Sequence, residues 1–245
     1  MAASLHLASH SPRETGRMLR AMRRYREHLK ATPGLAVSSL FFTARFDSLT
    51  GGTPTPLKWG LLCGWERPEA RDEFLSKPAR LAPFVREARE AWSVSLDTVR
   101  VVSGEWHGWQ PSLAEAEPLD RDEPVAVLTY GRVRPRYIPA FQWNNRKVVR
   151  EMNANPGNVM AIGLGEDAWV RATFSIWRSK GDVVRFAYEP GGVHDPIQRR
   201  SLEAGWGGDY FFARFRPVAS TGTWGGCDPL AGLRKETAEP QPSRS

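Results

Sequence analysis

The sequence predicts an α+β protein of two tandem ferredoxin-like (βαββαβ) repeats packed sheet to sheet, a single-chain counterpart of a dimeric α/β barrel. Three observations lead there. The first is an internal repeat. Shifted by 123 positions, Leu5 to Arg13 falls on Leu128 to Arg136 without a gap, Arg23 on Arg146, and Ala31-Thr32-Pro33-Gly34 on Ala154-Asn155-Pro156-Gly157. With shifts that fit loop insertions, Trp65, Phe74 and Trp92 then fall on Trp177, Phe186 and Trp206, and Ser103-Gly104-Glu105-Trp106 on Thr221-Gly222-Thr223-Trp224. The second is that each half reads strand, helix, strand, strand, helix, strand. The third is a packing requirement: such a unit carries both helices on one face of its sheet, and the other copy is the simplest cover for the bare face.

In the first half, Leu5 to Ala8 is a short strand. Ser11-Pro12-Arg13-Glu14 forms a capping box with proline at the first helical position, opening a helix that runs to about Lys30 and stops at Pro33-Gly34. Leu35 to Phe42 and Leu57 to Trp65 read as strands, Pro68 to Ser76 and Pro83 to Trp92 as helices, and Leu96 to Val102 as the closing strand. In the second half Val125 to Val133 is a strand and Pro139 to Met152 a helix. Val159 to Leu164 and Ala168 to Trp177 form a hairpin, Gly181 to Tyr188 and Pro196 to Ala204 are helical, and Tyr210 to Arg216 is the last strand. The expected organisation is a first repeat over 1–109, an acidic proline-containing linker over 110–124, a second repeat over 125–227 and a disordered tail over 228–245.

With 245 residues, 41% hydrophobic and 25% charged, the chain can bury a sizeable core. Its formal charge of +7 invites a nucleic-acid reading. The one basic run, Arg13 to Lys30, has Met18, Met22, Tyr25 and Leu29 at helical spacing, so it reads as the solvated face of an amphipathic helix and no nucleic-acid partner is expected. The two cysteines, Cys63 and Cys227, lie too far apart for a framework or a metal spacing and suggest reduced thiols in a cytoplasm. No stretch is long and apolar enough to span a membrane, and no signal-peptide pattern opens the chain. A cytoplasmic location is expected.

Phosphate loops, dinucleotide fingerprints, serine-hydrolase elbows and zinc spacings do not occur in the sequence. The five histidines are scattered, which leaves only a single-histidine role. His194 stands out: it follows the breaker Pro190-Gly191-Gly192 and precedes Asp195-Pro196 at a helix start, whereas the corresponding region of the first half, around Leu81, has no histidine. A neutral imidazole so presented can ligate haem iron, and a surface histidine at a helix N-terminus is the alternative. Arg132 and Arg134 alternate at a strand end, and Arg171 and Arg214 lie within strands. A guanidinium fork suits carboxylates such as haem propionates, with ordinary ion pairing as the competing account. Along Trp169 to Trp177, one side (Val170, Ala172, Phe174, Ile176) is uniformly apolar and is expected to face the helices. The other side carries Arg171, Thr173, Ser175 and Trp177 and, with Trp59 from the first half, is expected to line a pocket between the sheets. No acid or base can be named.

Gly131-Arg132-Val133-Arg134-Pro135-Arg136, Ala172-Thr173-Phe174-Ser175-Ile176-Trp177, Phe186-Ala187-Tyr188, and Glu203-Ala204-Gly205-Trp206 leading to Phe211-Phe212-Ala213-Arg214-Phe215 occur in order. Over roughly Val125 to Trp224 the chain thereby resembles the spheroidene monooxygenase (carotenoid 2-ketolase) family. The resemblance implies a haem-iron oxygenase of carotenoid biosynthesis that inserts oxygen into an acyclic carotenoid, using dioxygen and electrons from reduced ferredoxin or a similar donor. It places His194 as the metal ligand and the arginines of the Gly-Arg-Val-Arg-Pro block at the cofactor. A hydrophobic small-molecule substrate leaves room for peripheral membrane contact. The alternatives are a haem-dependent dehydratase of the aldoxime type and a non-catalytic barrel that binds haem or an apolar metabolite.

Overall fold

Eight antiparallel strands close on themselves in the order β1-β3-β2-β6-β7-β5-β8-β4 in a computed structural model that describes residues 1–46, 52–113 and 116–233. The first half supplies β1 (Ala2–Ser9), α1 (Pro12–Lys30), β2 (Leu35–Arg45), β3 (Thr53–Trp65), α2 (Pro68–Leu75), α3 (Ala82–Val85) and β4 (Glu90–Gly104). The second supplies β5 (Val125–Val133), α4 (Ile138–Ala154), β6 (Asn158–Gly165), β7 (Val170–Trp177), α5 (Lys180–Tyr188), α6 (His194–Glu203) and β8 (Gly207–Gly222). Local chemistry sets the first helix as expected. Ser11 Oγ accepts from the Glu14 amide at 3.2 Å, Pro12 occupies the first turn, and Met18, Met22 and Leu29 form the buried stripe.

Within the first half the strands lie β4-β1-β3-β2, and within the second β8-β5-β7-β6. The two sets meet edge to edge. One seam is short, pairing Phe42–Ala44 with Gly163–Gly165; the other is long, pairing β4 from Trp92 to Gly104 with β8 from Gly222 back to Phe211. The sheets therefore do not lie face against face as two layers: they are one continuous surface, which removes all four free edges.

Closure decides which face is core. An eight-stranded barrel is just wide enough for side chains to fill it, so the strands turn mainly apolar rows inward, although β2 breaks its row with Ser39, which donates to Glu166 at 2.6 Å. Leu5, Leu62, Leu128, Ile162, Phe174 and Phe211 are among those that meet there. This reverses the orientation expected for β7. Val170, Ala172, Phe174 and Ile176 pack inside the barrel, while Trp177 belongs to the cluster beneath the helices of the second half. The Trp106–Trp109 hairpin adds both indoles to the interior cluster, edge-on to one another at 6.0 Å and against Phe41 and Phe211.

Helices cover the outside. α1, α2 and α3 lay Met18, Met22, Leu29, Phe74 and Phe84 on Leu61, Cys63 and Trp65; α4 and α5 lay Val149, Met152, Val183 and Phe186 on Val125, Val127 and Trp177. Three segments differ from expectation. The helix expected over Pro83 to Trp92 shrinks to Ala82–Val85, because Trp92 is already strand, paired with Leu7 of β1 and Gly222 of β8. The 110–124 connector is not idle: Leu119 buries under α5, and the Arg121 and Glu123 carbonyls accept from the Gly181 and Lys180 amides. Of the expected tail, 228–233 is packed, with Leu230 in the interior cluster and Asp228 accepting from Trp92 Nε1 at 3.0 Å; positions 234–245 lie outside the described residues.

Candidate functional site

The outer face of the second half is built from three rows of side chains that register pairing brings side by side. Ser175, Val127 and Arg214 form one row, Thr173, Thr129 and Phe212 the next, and Arg171 and Gly131 the third, on β7, β5 and β8. Gly131 leaves the room that the Tyr210 ring takes, since a Cβ there would sit 2.8 Å from it. In a fully roofed sheet the middle of a central strand is its most buried position. Thr129, at the middle of β5, is exposed. At the 123-residue offset its counterpart is His6 of β1, which is 0% exposed and held by Ser93 Oγ at 2.8 Å and Ser4 Oγ at 3.0 Å. The helix layer covers His6 in one half and leaves Thr129 open to solvent in the other, a gap in the roof.

His194 begins α6 in the same half. Its ring lies 5.2 Å from Phe186, which in turn lies 5.0 Å from Trp177. Burial lowers the imidazole pKa below its usual value, opposed by the Ala187 carbonyl and the Glu151 and Asp195 carboxylates, so the ring is biased to the neutral form. Its Nδ1 is buried with no hydrogen-bond partner among the described residues. The loop before it is anchored to α4 through the Val193 amide and the Glu151 carboxylate at 3.1 Å.

Two guanidiniums of the same half lack a counter-charge among the described residues. Arg214 is 7% exposed, its Nε is buried and unpartnered, and desolvation lowers its pKa, with Tyr188 opposing and Arg100 adding to the effect. Arg171, half-buried, is likewise lowered by desolvation against the distant pull of Asp167, and donates to the Val170 carbonyl at 2.9 Å. Among the described residues neither has a carboxylate within ion-pair distance. A buried cation without a counter-charge is costly, and such cations are places for an anionic ligand. Contrast Arg71 in the first half, equally buried but bonded to Asp97 at 2.6 Å, Asp72 at 2.8 Å and the Leu96 carbonyl at 2.9 Å.

The other expected site residues divide. Thr173 lies beside Thr129 at that gap. Ser175 is buried and accepts from Trp177 Nε1 at 2.9 Å, so both serve the packing beneath α5 rather than a space between sheets. Arg132, near the same strand end as Arg171, pairs with Asp167 at 2.9 Å on the surface, and Arg134 is exposed with its amide bonded to the Trp206 carbonyl. Trp59 lies under the helix layer of the first half, apart from the rest. Thr129 and Phe212 were not singled out from sequence. The available signal was the register of His6 on Thr129, a buried imidazole facing an unremarkable threonine. Among the described residues no three His, Cys, Asp or Glu side chains are grouped to hold a bare metal ion. One neutral imidazole with unpaired guanidiniums fits instead a prosthetic group that brings its own metal and carboxylates. Two hollows, of about 680 Å³ along the solvent side of α5 and about 520 Å³ beside Thr43, Lys58 and Trp224, are not lined by Thr129, His194, Arg171 or Arg214.

No family model matches the chain. It is 32% identical over 196 residues to the spheroidene monooxygenase of Rhodobacter capsulatus, covering 77% of this chain and 80% of that protein. It is 28% identical over 212 residues to the protein of the same name from Cereibacter sphaeroides, covering 82% of this chain and 64% of that one. Among solved structures, a monooxygenase-like protein from Listeria innocua aligns over 89% of this chain and 94% of its own, with 11% identity and a TM-score of 0.31.

Proposed function

The chain belongs to the spheroidene monooxygenase family, and from that premise we propose a haem-dependent oxygenase whose centre is the outer face of the second half, acting on an acyclic carotenoid or a similarly long apolar molecule. Membership makes the protein an oxidoreductase of the monooxygenase class. The observation that carries the haem reading is His194, a half-buried imidazole biased to the neutral form, in the same half as two cations that have no carboxylate at ion-pair distance among the described residues.

Bound there, the group would supply the activation of dioxygen, with electrons from reduced ferredoxin or a similar donor. The chain's own residues do the rest. The His194 imidazole would serve as the ligand, its ring packed on Phe186 at 5.2 Å, which itself packs on Trp177 at 5.0 Å. Arg171, with Arg132 and Arg134 at the same strand end, would hold carboxylates. Breaking the exposed Arg132–Asp167 pair to free a guanidinium costs little, about 0–1 kcal/mol. Phe212 and Thr173 would offer the floor on which an apolar chain lies. We also read the two halves as tandem ferredoxin-like repeats, supported by the shared strand permutation and the 123-residue offset.

The test is an absorption spectrum of protein expressed with haem precursor, for the native sequence and for His194→Ala. A Soret band that is altered or lost in the variant supports the assignment. A native protein that takes up no haem, or a variant with an unchanged band, overturns it.

A further inference from the structure

We propose that the solvent face of α4 is the surface on which this protein rests against an anionic phospholipid bilayer. Trp143 is 62% exposed, the most exposed large apolar side chain among the described residues. It is not an isolated ring. Lys147 and Arg150 follow at i+4 and i+7 on the same stripe, both exposed, and the Arg146 guanidinium lies 5.0 Å from the indole centroid. Among the described residues none of these three cations has an ion pair. The only carboxylate on α4, Glu151, accepts from the Val193 amide rather than neutralising the stripe. Val149 and Met152 hold the buried side of the helix, so the orientation is set by packing.

A lone indole ringed by cations fits a lipid headgroup layer better than the other candidate partners. The interfacial zone of a bilayer takes up an amphipathic ring, and anionic headgroups attract each nearby lysine or arginine with about 1 kcal/mol. A protein partner would need an apolar patch or groove for a central anchor, whereas the stripe presents one ring among charges. The first half provides an internal comparison. α1 exposes more cations, Arg13, Arg20, Arg23, Arg24 and Arg26, but no large apolar side chain, and the position that corresponds to Trp143 at the 123-residue offset is Arg20. Charge without an aromatic therefore sits on one side of the molecule, and charge with one on the side that carries the gap over Thr129. The purpose of docking, handing a membrane-dissolved substrate to that gap on the same outer face, rests on the function proposed above. The observations on α4 do not.

The experiment is sedimentation of the full chain with vesicles of phosphatidylcholine alone or mixed with phosphatidylglycerol, carrying neither haem nor carotenoid. Binding is expected only to the anionic vesicles and to fall with salt. Lys147→Glu with Arg150→Glu should weaken it roughly 30-fold or more, and Trp143→Ala about tenfold. Arg20→Glu with Arg24→Glu imposes the same charge change on α1 and should alter binding by less than about threefold, a screened long-range effect. Thermal melts of all variants verify folding. Equal weakening by the α1 and α4 swaps, no effect of Trp143→Ala, or equal binding to both vesicle types overturns the proposal. So does binding of duplex DNA through the α4 cations with the vesicles left unbound. Because the vesicles hold no cofactor or substrate, their failure to bind leaves the oxygenase reading intact, and a missing Soret band leaves the docking result intact.

Discussion

Replacing Arg214 by methionine should stabilise the protein without its cofactor and weaken its hold on an anionic ligand. The side chain is 7% exposed, lies among the helix-facing residues of β8, and has no carboxylate at ion-pair distance among the described residues. Its Nε finds no acceptor, and its nearest electrostatic neighbours include the repelling Arg100. Methionine keeps most of the stem's packing and removes the charge, the circumstance in which buried ionic groups have been replaced with gains of about 1–4 kcal/mol. In the loaded protein the sign inverts. Removing one member of a desolvated charge pair costs about 2–5 kcal/mol, at least a 30-fold loss of affinity. Urea denaturation of haem-free protein gives the first quantity and haem titration the second. A variant that loses more than about 1 kcal/mol when haem-free, beyond what a volume-conserving packing change explains, would show that Arg214 is satisfied in place and would refute the idea that it waits for an anion.

Three other outcomes are expected. Burial pushes His6 down to about 3, so the folded chain refuses a proton that the unfolded chain takes up near pH 6.5; stability is full above 6.5 and declines by up to about 1.4 kcal/mol per pH unit between 6.5 and 3. His6→Asn should flatten that part of the pH profile of urea midpoints, and a profile as steep as the native one would rule out His6 as the cause. At the short seam, a Cβ on Gly165 would lie 2.1 to 2.7 Å from ring atoms of Phe42, so Gly165→Val should cost about 2–4 kcal/mol by thermal or chemical denaturation, and Phe42→Ala in the same chain should recover part of it. Burial holds the Cys63 thiol up at about 12 while Cys227 is exposed, so a thiol reagent should titrate one cysteine in the native protein and two after unfolding.

Much of the fold was readable from local signals. Val125 to Val133, dense in β-branched residues, is a strand with the expected bounds, and the Ser11-Pro12 capping box opens α1. What failed were statements about partners that a single strand does not carry. The alternation along β7 is plain, but a uniformly apolar row suits the underside of a helix layer and the inside of a closed barrel equally well. Only closure, through seams at Phe42–Ala44 and along β4 and β8, selects the second. The same limit applies to Pro83 to Trp92, where the helical pattern yields to pairing of Trp92 with Leu7 and Gly222. His194 could be singled out from the sequence because the first half has no histidine at the corresponding place. Thr129 could not, since its significance is the absence of a roof.

That absence argues for a division of labour between the halves. A closed barrel with a filled interior offers little room inside, so a ligand of any size must be accommodated where the helices meet the outer face. In the first half His6 is held between two serines and Arg71 among three acceptors, while His10, Tyr25 and Trp59 keep buried polar atoms without a partner among the described residues. In the second half the comparable region keeps Thr129 exposed, Arg214 and Arg171 uncompensated and His194 Nδ1 unbonded. Unmade interactions of this kind lower stability, and buried polar atoms are otherwise nearly always paired. Both halves hold such atoms, but the first half's orphans, at His10, Tyr25 and Trp59 among others, belong to neutral groups, whereas in the second half the orphan at Arg214 belongs to a buried cation with no carboxylate at ion-pair distance among the described residues; that unpaired charge is what an anion-binding site requires of a scaffold.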